Sequence, residues 1–217
     1  MKIGVLGAGK IGGTLGRLWA NKGHEVMFGV RDVNSPNVRT LLEASGASAQ
    51  ASSVVEAAAF GEVVLLALHW PGVEEVIQQA GDLSGKILID ATNRMQNGLS
   101  RAAAEDIARW ARGARVVKAF NSLGSRNLTN LQFGSLNADT FICGDDPTAK
   151  AVVSELARIV GFDVVDAGPL SNAVLVEALA KLWVQLAFAQ GMGADIAFKL
   201  LKRPPTHSAS SGQANGR

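Results

Sequence analysis

Gly7-Ala8-Gly9-Lys10-Ile11-Gly12 spaces three glycines as GxGxxG, directly after the apolar run Lys2–Leu6 and ahead of a helix-forming stretch. A bound pyrophosphate needs this arrangement. Glycine at 7 permits a tight turn, glycine at 9 lets phosphate approach the backbone, and glycine at 12 lets strand and helix pack closely. The phosphates then sit on the helix amino end, where free N–H groups, those of Lys10 and Ile11 among them, bond the anion. The bare pattern is weak, because glycine is common. Its position between an amino-terminal strand and a helix makes it a dinucleotide loop.

The second strand separates NAD from NADP. An NAD site carries an acid about 20 residues on, at the tip of that strand, to hold the ribose hydroxyls. Here Val26-Met27-Phe28-Gly29 runs into Val30-Arg31-Asp32. With the strand ending at Val30, Arg31 stands at the tip and meets a 2′-phosphate through a charge-assisted bond. Asp32 then faces away and starts the turn before Pro36. A slip of one residue would put Asp32 at the tip and favour NAD; the NADP register is the reading adopted. Arg39 is a second candidate phosphate partner, with an ordinary surface arginine as the alternative.

Three further strand ends bear polar or ring-carrying residues: Leu68-His69-Trp70-Pro71, Asp90-Ala91-Thr92-Asn93 and Lys118-Ala119-Phe120-Asn121-Ser122. Ligands of open α/β sheets lie beyond the carboxyl ends of the strands, so these segments should line the nicotinamide half of the site. His69 could donate a proton or simply bond the backbone of its turn. Asn93 and Asn121 could hold the carboxamide or ribose, or tie the two loops together. Trp70 reads as packing and Asp90 as an acceptor that orders its loop. Other chemistry is missing: there is no Cys/His cluster for a metal, no nucleophile elbow and no Walker loop. Glu177 and Lys181, four apart, read as a surface pair.

These residues need a frame that presents strand ends side by side. Strand-like runs at Lys2–Leu6, Glu25–Phe28, Glu62–Leu68, Lys86–Asp90, Arg115–Lys118, Asp139–Cys143 and Asp163–Asp166 alternate with helical stretches at 11–21, 37–44, 53–59, 73–79, 99–110 and 148–160. Alternation of this kind implies an α/β Rossmann fold, doubly wound, with a mainly parallel sheet. From Asn172 to Leu201 the pattern predicts a C-terminal long apolar helix, or two helices broken near Gly191 and Gly193. It is too apolar all round to lie alone on a surface. Residues 1–168 are thus expected to form an NADP-binding Rossmann domain and 169–202 a C-terminal helical segment. Residues 203–217, rich in Pro, Ser and Gly, read as a disordered tail.

The chain's 217 residues carry a formal net charge of +2, with 18% charged and 47% hydrophobic residues. That balance supports a full core and argues against nucleic acid as a partner. The single cysteine, Cys143, lies in an apolar run and reads as a buried hydrophobe. No run reaches the ~18 continuous apolar residues of a membrane span, and no secretory segment is visible. A cytoplasmic protein is expected, with no membrane partner.

With these pieces in place the chain resembles the NADPH-dependent reductases of the deazaflavin coenzyme F-420 (F420). The resemblance runs from Met1 to about Leu201. Its markers are Gly7–Gly12, Gly29-Val30-Arg31-Asp32, Ile89–Asn93, Val117–Ser122, Ile142-Cys143-Gly144-Asp145-Asp146 and Asp166–Leu170. It implies an NADP cofactor with Gly7, Gly9, Lys10, Ile11 and Gly12 on the pyrophosphate, Val30 and Arg31 at the 2′-phosphate, and Leu68, His69 and Asn93 beside the nicotinamide. A deazaflavin (F-420) or flavin co-substrate would lie near Asn121, Ser122, Leu170, Ser171 and Asn172. The long helix would make a homodimer contact. The chain departs from the family pattern at Val30, where a serine often stands, and at His69, where a proline is usual.

Hydride passing between two flat rings is carried by the cofactors themselves, so no catalytic residue is required. The alternatives are an NADP-dependent reductase of a small carbonyl or imine compound, with His69 as proton donor, and a non-catalytic NADP-binding sensor module.

Overall fold

The computed structural model describes residues 1–95 and 102–203. In chain order the elements are β1 (Lys2–Leu6), α1 (Lys10–Ala20), β2 (Glu25–Gly29), α2 (Pro36–Ser45), β3 (Ala49–Ser52), α3 (Val54–Phe60), β4 (Val63–Leu66), α4 (Val73–Ala80), β5 (Ile87–Asp90), α5 (Ala103–Trp110) and β6 (Arg115–Lys118). A small hairpin, β7 (Gln132–Phe133) and β8 (Leu136–Asn137), precedes β9 (Asp139–Gly144), α6 (Pro147–Val160), β10 (Asp163–Asp166) and α7 (Ala173–Val184). A π-helical turn, Gln185–Ala189, continues α7.

Among the described residues one sheet has eight strands in the order β10-β9-β6-β5-β4-β1-β2-β3. Neighbours are parallel except β6 and β9. The sheet is therefore a doubly wound α/β sheet, mainly parallel, as expected. Alternate residues of each strand feed separate cores. Ile3, Val5, Val63, Leu65, Ile87 and Ile89 pack on one side with Trp19 and Phe28. Leu6, Val64, Leu66 and Leu88 pack on the other with Ile77 and Ile107. This two-sided burial is why the strands read as continuous apolar runs rather than alternating ones.

Register aligns the strand ends. Leu6 pairs with Gly29 and Leu66, Leu66 with Asp90, and Asp90 with Lys118. The chain enters at β1 in the middle of the sheet, winds out to β3 and returns to β4 on the other side of β1. The crevice between the ends of β1 and β4 is thus the point where strand order reverses, where such sheets bind ligands.

Five expectations need correction. Ala49–Ser52 forms β3, an edge strand whose small and polar residues (Ala-Gln-Ala-Ser) carry no apolar alternation. The hairpin β7–β8 also went unread, being two residues per strand. The C-terminal helix stops at Ala189, beside the break expected as the alternative at Gly191 and Gly193 (φ +69° and +81°), but no second helix follows it to Leu201. Beyond them the chain crosses the protein without regular structure: Asn127 Nδ2 donates to the carbonyl of Ala194 and Trp183 Nε1 to that of Ile196, each at 2.8 Å. Fourth, the run Leu170–Ala189 is 20 residues long, with mean hydropathy 1.4, apolar enough by length and composition to cross a membrane, although a third of it is buried. Finally, Glu177 is no surface residue. It is 3% exposed and faces the sheet. The expected start of the 99–110 helix and nearly all of the 203–217 tail lie outside the described residues.

Candidate functional site

The three glycines of the loop have separate reasons to be glycine. Gly7 has φ +105°, and a Cβ there would lie 2.5 Å from the carbonyl oxygen of Ala67. A Cβ on Gly12 would come 2.0 Å from the carbonyl oxygen of Gly7. On Gly9 it would meet no heavy atom within 4 Å. Gly7 and Gly12 therefore let α1 dock on β1 and β4, whereas Gly9 borders open space. Gly9 is also the N-cap of α1, with no side-chain cap bond and no acid in the first turn. The first N–H groups of the helix and its positive dipole end are left available to an anion.

That space opens into a cleft of about 990 Å³. Gly7, Gly9, Lys10 and Ile11 line one end, Ala67 to Trp70 the end of β4, and Ala91, Asn93 and Met95 the end of β5, with Ser125 and Val184 across from them. Most of these side chains are apolar, and no carboxylate is among them. His69 is exposed, and its ring has no hydrogen-bond partner among the described residues. Trp70 does pack: it stacks on Trp110 with ring centroids 5.6 Å apart, and the guanidinium of Arg94 lies 4.3 Å over it. Arg94 in turn pairs with Asp106.

Behind the cleft lies a buried charge cluster. Lys118 and Asp90 are fully buried, and their Nζ–Oδ2 distance is 2.8 Å. Glu177 reaches down from α7 to place Oε1 3.0 Å from the same ammonium. Asp90 Oδ1 accepts from the backbone N–H and hydroxyl of Thr92, so it orders its loop as expected. Glu177 also accepts from the N–H of Ala103 at 2.7 Å and of Arg94 at 3.3 Å. Each carboxylate is paired and hydrogen-bonded, as burial of a charge requires. Asn121 Nδ2 donates to Asn93 Oδ1 at 2.8 Å, so the two asparagines do tie the loops together.

At the tip of β2, Arg31 is exposed and its guanidinium has no ion-pair partner among the described residues. Asp32 turns away: its Oδ1 accepts from the N–H of Asn34 at 2.9 Å, opening the turn into α2. Arg39 bonds the carbonyl of Asn34 at 3.4 Å. Cys143 is fully buried, and burial pushes its thiol pKa up to about 12.

Of the residues singled out in the sequence, Gly7, Gly9, Lys10, Ile11, Leu68, His69 and Asn93 line the cleft. Gly12, Val30 and Arg31 flank it without lining it. Asn121, Ser122, Leu170, Ser171 and Asn172 lie outside its walls. Ser122 is buried, its hydroxyl spent on the carbonyl of Asp139. Leu170 is tethered through its N–H to Asp145, and Asn172 through its amide to the carbonyl of Ala167. In their place Met95, Ser125 and Val184 complete the lining. No motif marks these three; they arrive from separate parts of the chain.

Comparison with known proteins gives this geometry relatives. The family model for NADP oxidoreductase, coenzyme F420-dependent, matches residues 2–94. The F420-dependent NADP reductase of Methanocaldococcus jannaschii is 27% identical over 206 residues, which are 86% of this chain and 92% of that protein. A solved structure from Arthrobacter sp. FB24, provisionally named an F420-dependent NADP-reductase, superimposes with TM-score 0.83 at 29% identity, covering 93% of this chain and 100% of that one. Over nearly its whole length the chain is thus similar to these F420-dependent NADP reductases. Metalloreductase STEAP3 of Rattus norvegicus is 34% identical over 185 residues, 82% of this chain. The chain spans only about a third, 36%, of that longer protein.

Proposed function

We propose that this chain transfers hydride between NADP(H) and a deazaflavin (coenzyme F420) or flavin-like ring. The observation that carries the reading is the cleft itself: it runs from the glycine loop to α7 with no carboxylate in its wall among the described residues. Hydride transfer between rings needs stacking and exclusion of water, and needs no acid–base pair.

The residues present fit NADP. Open space before Gly9 and the uncapped start of α1 suit the pyrophosphate. Arg31 suits the 2′-phosphate, with Asp32 tied into its own turn. Ile11, Leu68 and Ala91 would exclude water beside the nicotinamide, and Asn93 would orient it. The nicotinamide supplies the hydride when bound. Residues 1–168 would hold the dinucleotide, and 169–202 would supply, through Val184, the acceptor side.

The same helical segment exposes Leu175 (65%), Phe188 (68%) and Met192 (62%). A homodimer contact there is part of this reading, as is a cytoplasmic location. A sedimentation profile that stays monomeric up to high micromolar concentration would remove the dimer.

One observation favours a second reading. His69 lines the cleft with its ring unpaired among the described residues, a place from which it could protonate a small carbonyl or imine compound during reduction.

The test is the loss of NADPH near-ultraviolet absorbance with the purified protein and F420, FMN, FAD or a small carbonyl in turn. Rapid oxidation with F420 or a flavin supports the ring acceptor. Turnover only with the carbonyl, lost in His69→Ala, supports the second reading. NADPH bound but unoxidised by all of them would sink both and leave a sensor module.

A further inference from the structure

Asn93 and Asn121 sit at the carboxyl ends of β5 and β6, joined by a bond that has a direction. Asn121 Nδ2 donates to Asn93 Oδ1 at 2.8 Å and to the carbonyl of Thr92 at 3.1 Å. Turning the Asn121 amide over would aim its oxygen at two oxygens, so it must donate on both sides. The Thr92 carbonyl is itself held, because it also accepts from Lys118 Nζ. Asn121 Oδ1, by contrast, is buried without a partner among the described residues. The amide's paired end is spent entirely on Thr92 and Asn93.

The backbone supports this aim. Phe120 has φ +65°, a left-handed conformation that a bulky side chain adopts only where its surroundings enforce it. Its N–H donates to Thr140 Oγ1, and its ring packs against Trp19 and Phe162.

An asparagine amide has one carbonyl and one NH2 group. With Oδ1 of Asn93 engaged toward β6, its NH2 is the end left for the cleft. Among the described residues that NH2 has no partner, and Asn93 is a half-buried wall residue. We propose that Asn121 is a positioning residue that fixes Asn93 as a hydrogen-bond donor to the carboxamide oxygen of a bound nicotinamide. The inference rests on NADP(H) occupying the cleft, and it adds the polarity of recognition: the site reads the carbonyl and ignores the amino group.

Calorimetric titration with NADP+ and with its 3-acetylpyridine analogue tests this without turnover. The analogue keeps the carbonyl and replaces the amino group with methyl. The unaltered protein should bind both within about threefold. Asn93→Asp keeps the shape and the bond from Asn121 but presents only acceptors, and should weaken the acetyl analogue about tenfold while the carboxamide, which can turn its NH2 to it, loses less. Asn121→Asp offers oxygen to Asn93, turns its amide over and should create a preference of about tenfold for the carboxamide over the acetyl analogue. A merely structural role for Asn121 would weaken both ligands equally. If Asn121→Asp does not fold, Asn93→Asp decides. An unaltered protein that already prefers the carboxamide tenfold, or an Asn93→Asp variant that binds both ligands unchanged, would overturn the inference and leave the NADP reading standing. Failure of the unaltered protein to bind either ligand would overturn both.

Discussion

Gly9 and Gly12 belong to one motif and answer to different constraints. A side chain at 12 collides with the Gly7 carbonyl, whereas one at 9 points into free space. Gly12→Val should therefore cost about 2 kcal/mol or more through overpacking, seen as a fall in urea midpoint. Gly9→Val should keep its midpoint and lose NADP(H) binding in fluorescence titration. Retained binding would remove the pyrophosphate from the loop. Arg31 has no carboxylate partner among the described residues, so Arg31→Ala should weaken NADPH about tenfold or more while NADH binding changes little. Equal losses for the two dinucleotides would show that Arg31 does not read the 2′-phosphate. Both residues were legible in the sequence because glycine spacing and a basic residue at a strand tip are local signals. The partnership of Asn93 with Asn121 stood only as one of two open readings, since 28 residues separate them and either could equally have held a ligand.

Among the elements, α7 shows where sequence pattern runs out. Its apolar composition was visible, but the role of Glu177 was not. A glutamate four residues before a lysine looks like a solvent-exposed helix pair. Only the docking of α7 over the ends of β5 and β6 turns it inward to Lys118 and the first N–H of α5. Glu177→Ala should cost about 3 kcal/mol, because it strips a buried ammonium of one partner and leaves the Ala103 N–H unsatisfied. Chemical unfolding checks this, and a loss below about 0.5 kcal/mol, the range of an exposed pair, would contradict the burial. The strand β3 escaped for the opposite reason. An edge strand of Ala, Gln and Ser has too little apolar content to show a period, and its pairing with β2 alone makes it a strand.

Over the whole molecule, the segment after Gly191 acts as a strap rather than a helix. It crosses beneath the starts of β9 and β10, where Lys199 pairs with Asp139 and Asp163 and the N–H of Leu200 donates to Asp139. Asp139 is 2% exposed. Lys199→Met should destabilise the protein by about 2 kcal/mol by leaving that carboxylate short of a partner, measured as a shift in urea midpoint. Its hydrogen bonds to Asp139 and Asp163 raise the Lys199 pKa above the ordinary lysine value. The stabilisation is then fully present below the unfolded-state value, about 10.4, and is lost as pH rises through the higher folded value. The difference in stability between the parent protein and Lys199→Met should accordingly stay constant through neutral pH and shrink only in strong alkali. A difference that disappears between pH 6 and pH 8 (roughly four to two units below that value) would assign it to another group.

What the sequence determined by itself was the local grammar: the glycine loop, the basic strand tip, the alternation of strand and helix, and the strand ends that carry polar residues. Each depends on residues within one or two turns of chain, where period and steric rules act directly. Tertiary structure alone decided which polar residues face the cleft, which are consumed in bracing it, and which distant side chains complete its lining. Those outcomes depend on register and docking. Aligned strand ends bring Asp90 and Lys118 together, α7 lowers Glu177 onto them, and Met95, Ser125 and Val184 converge from three parts of the chain. No local pattern encodes such meetings, because they arise from the packing of whole elements against one another.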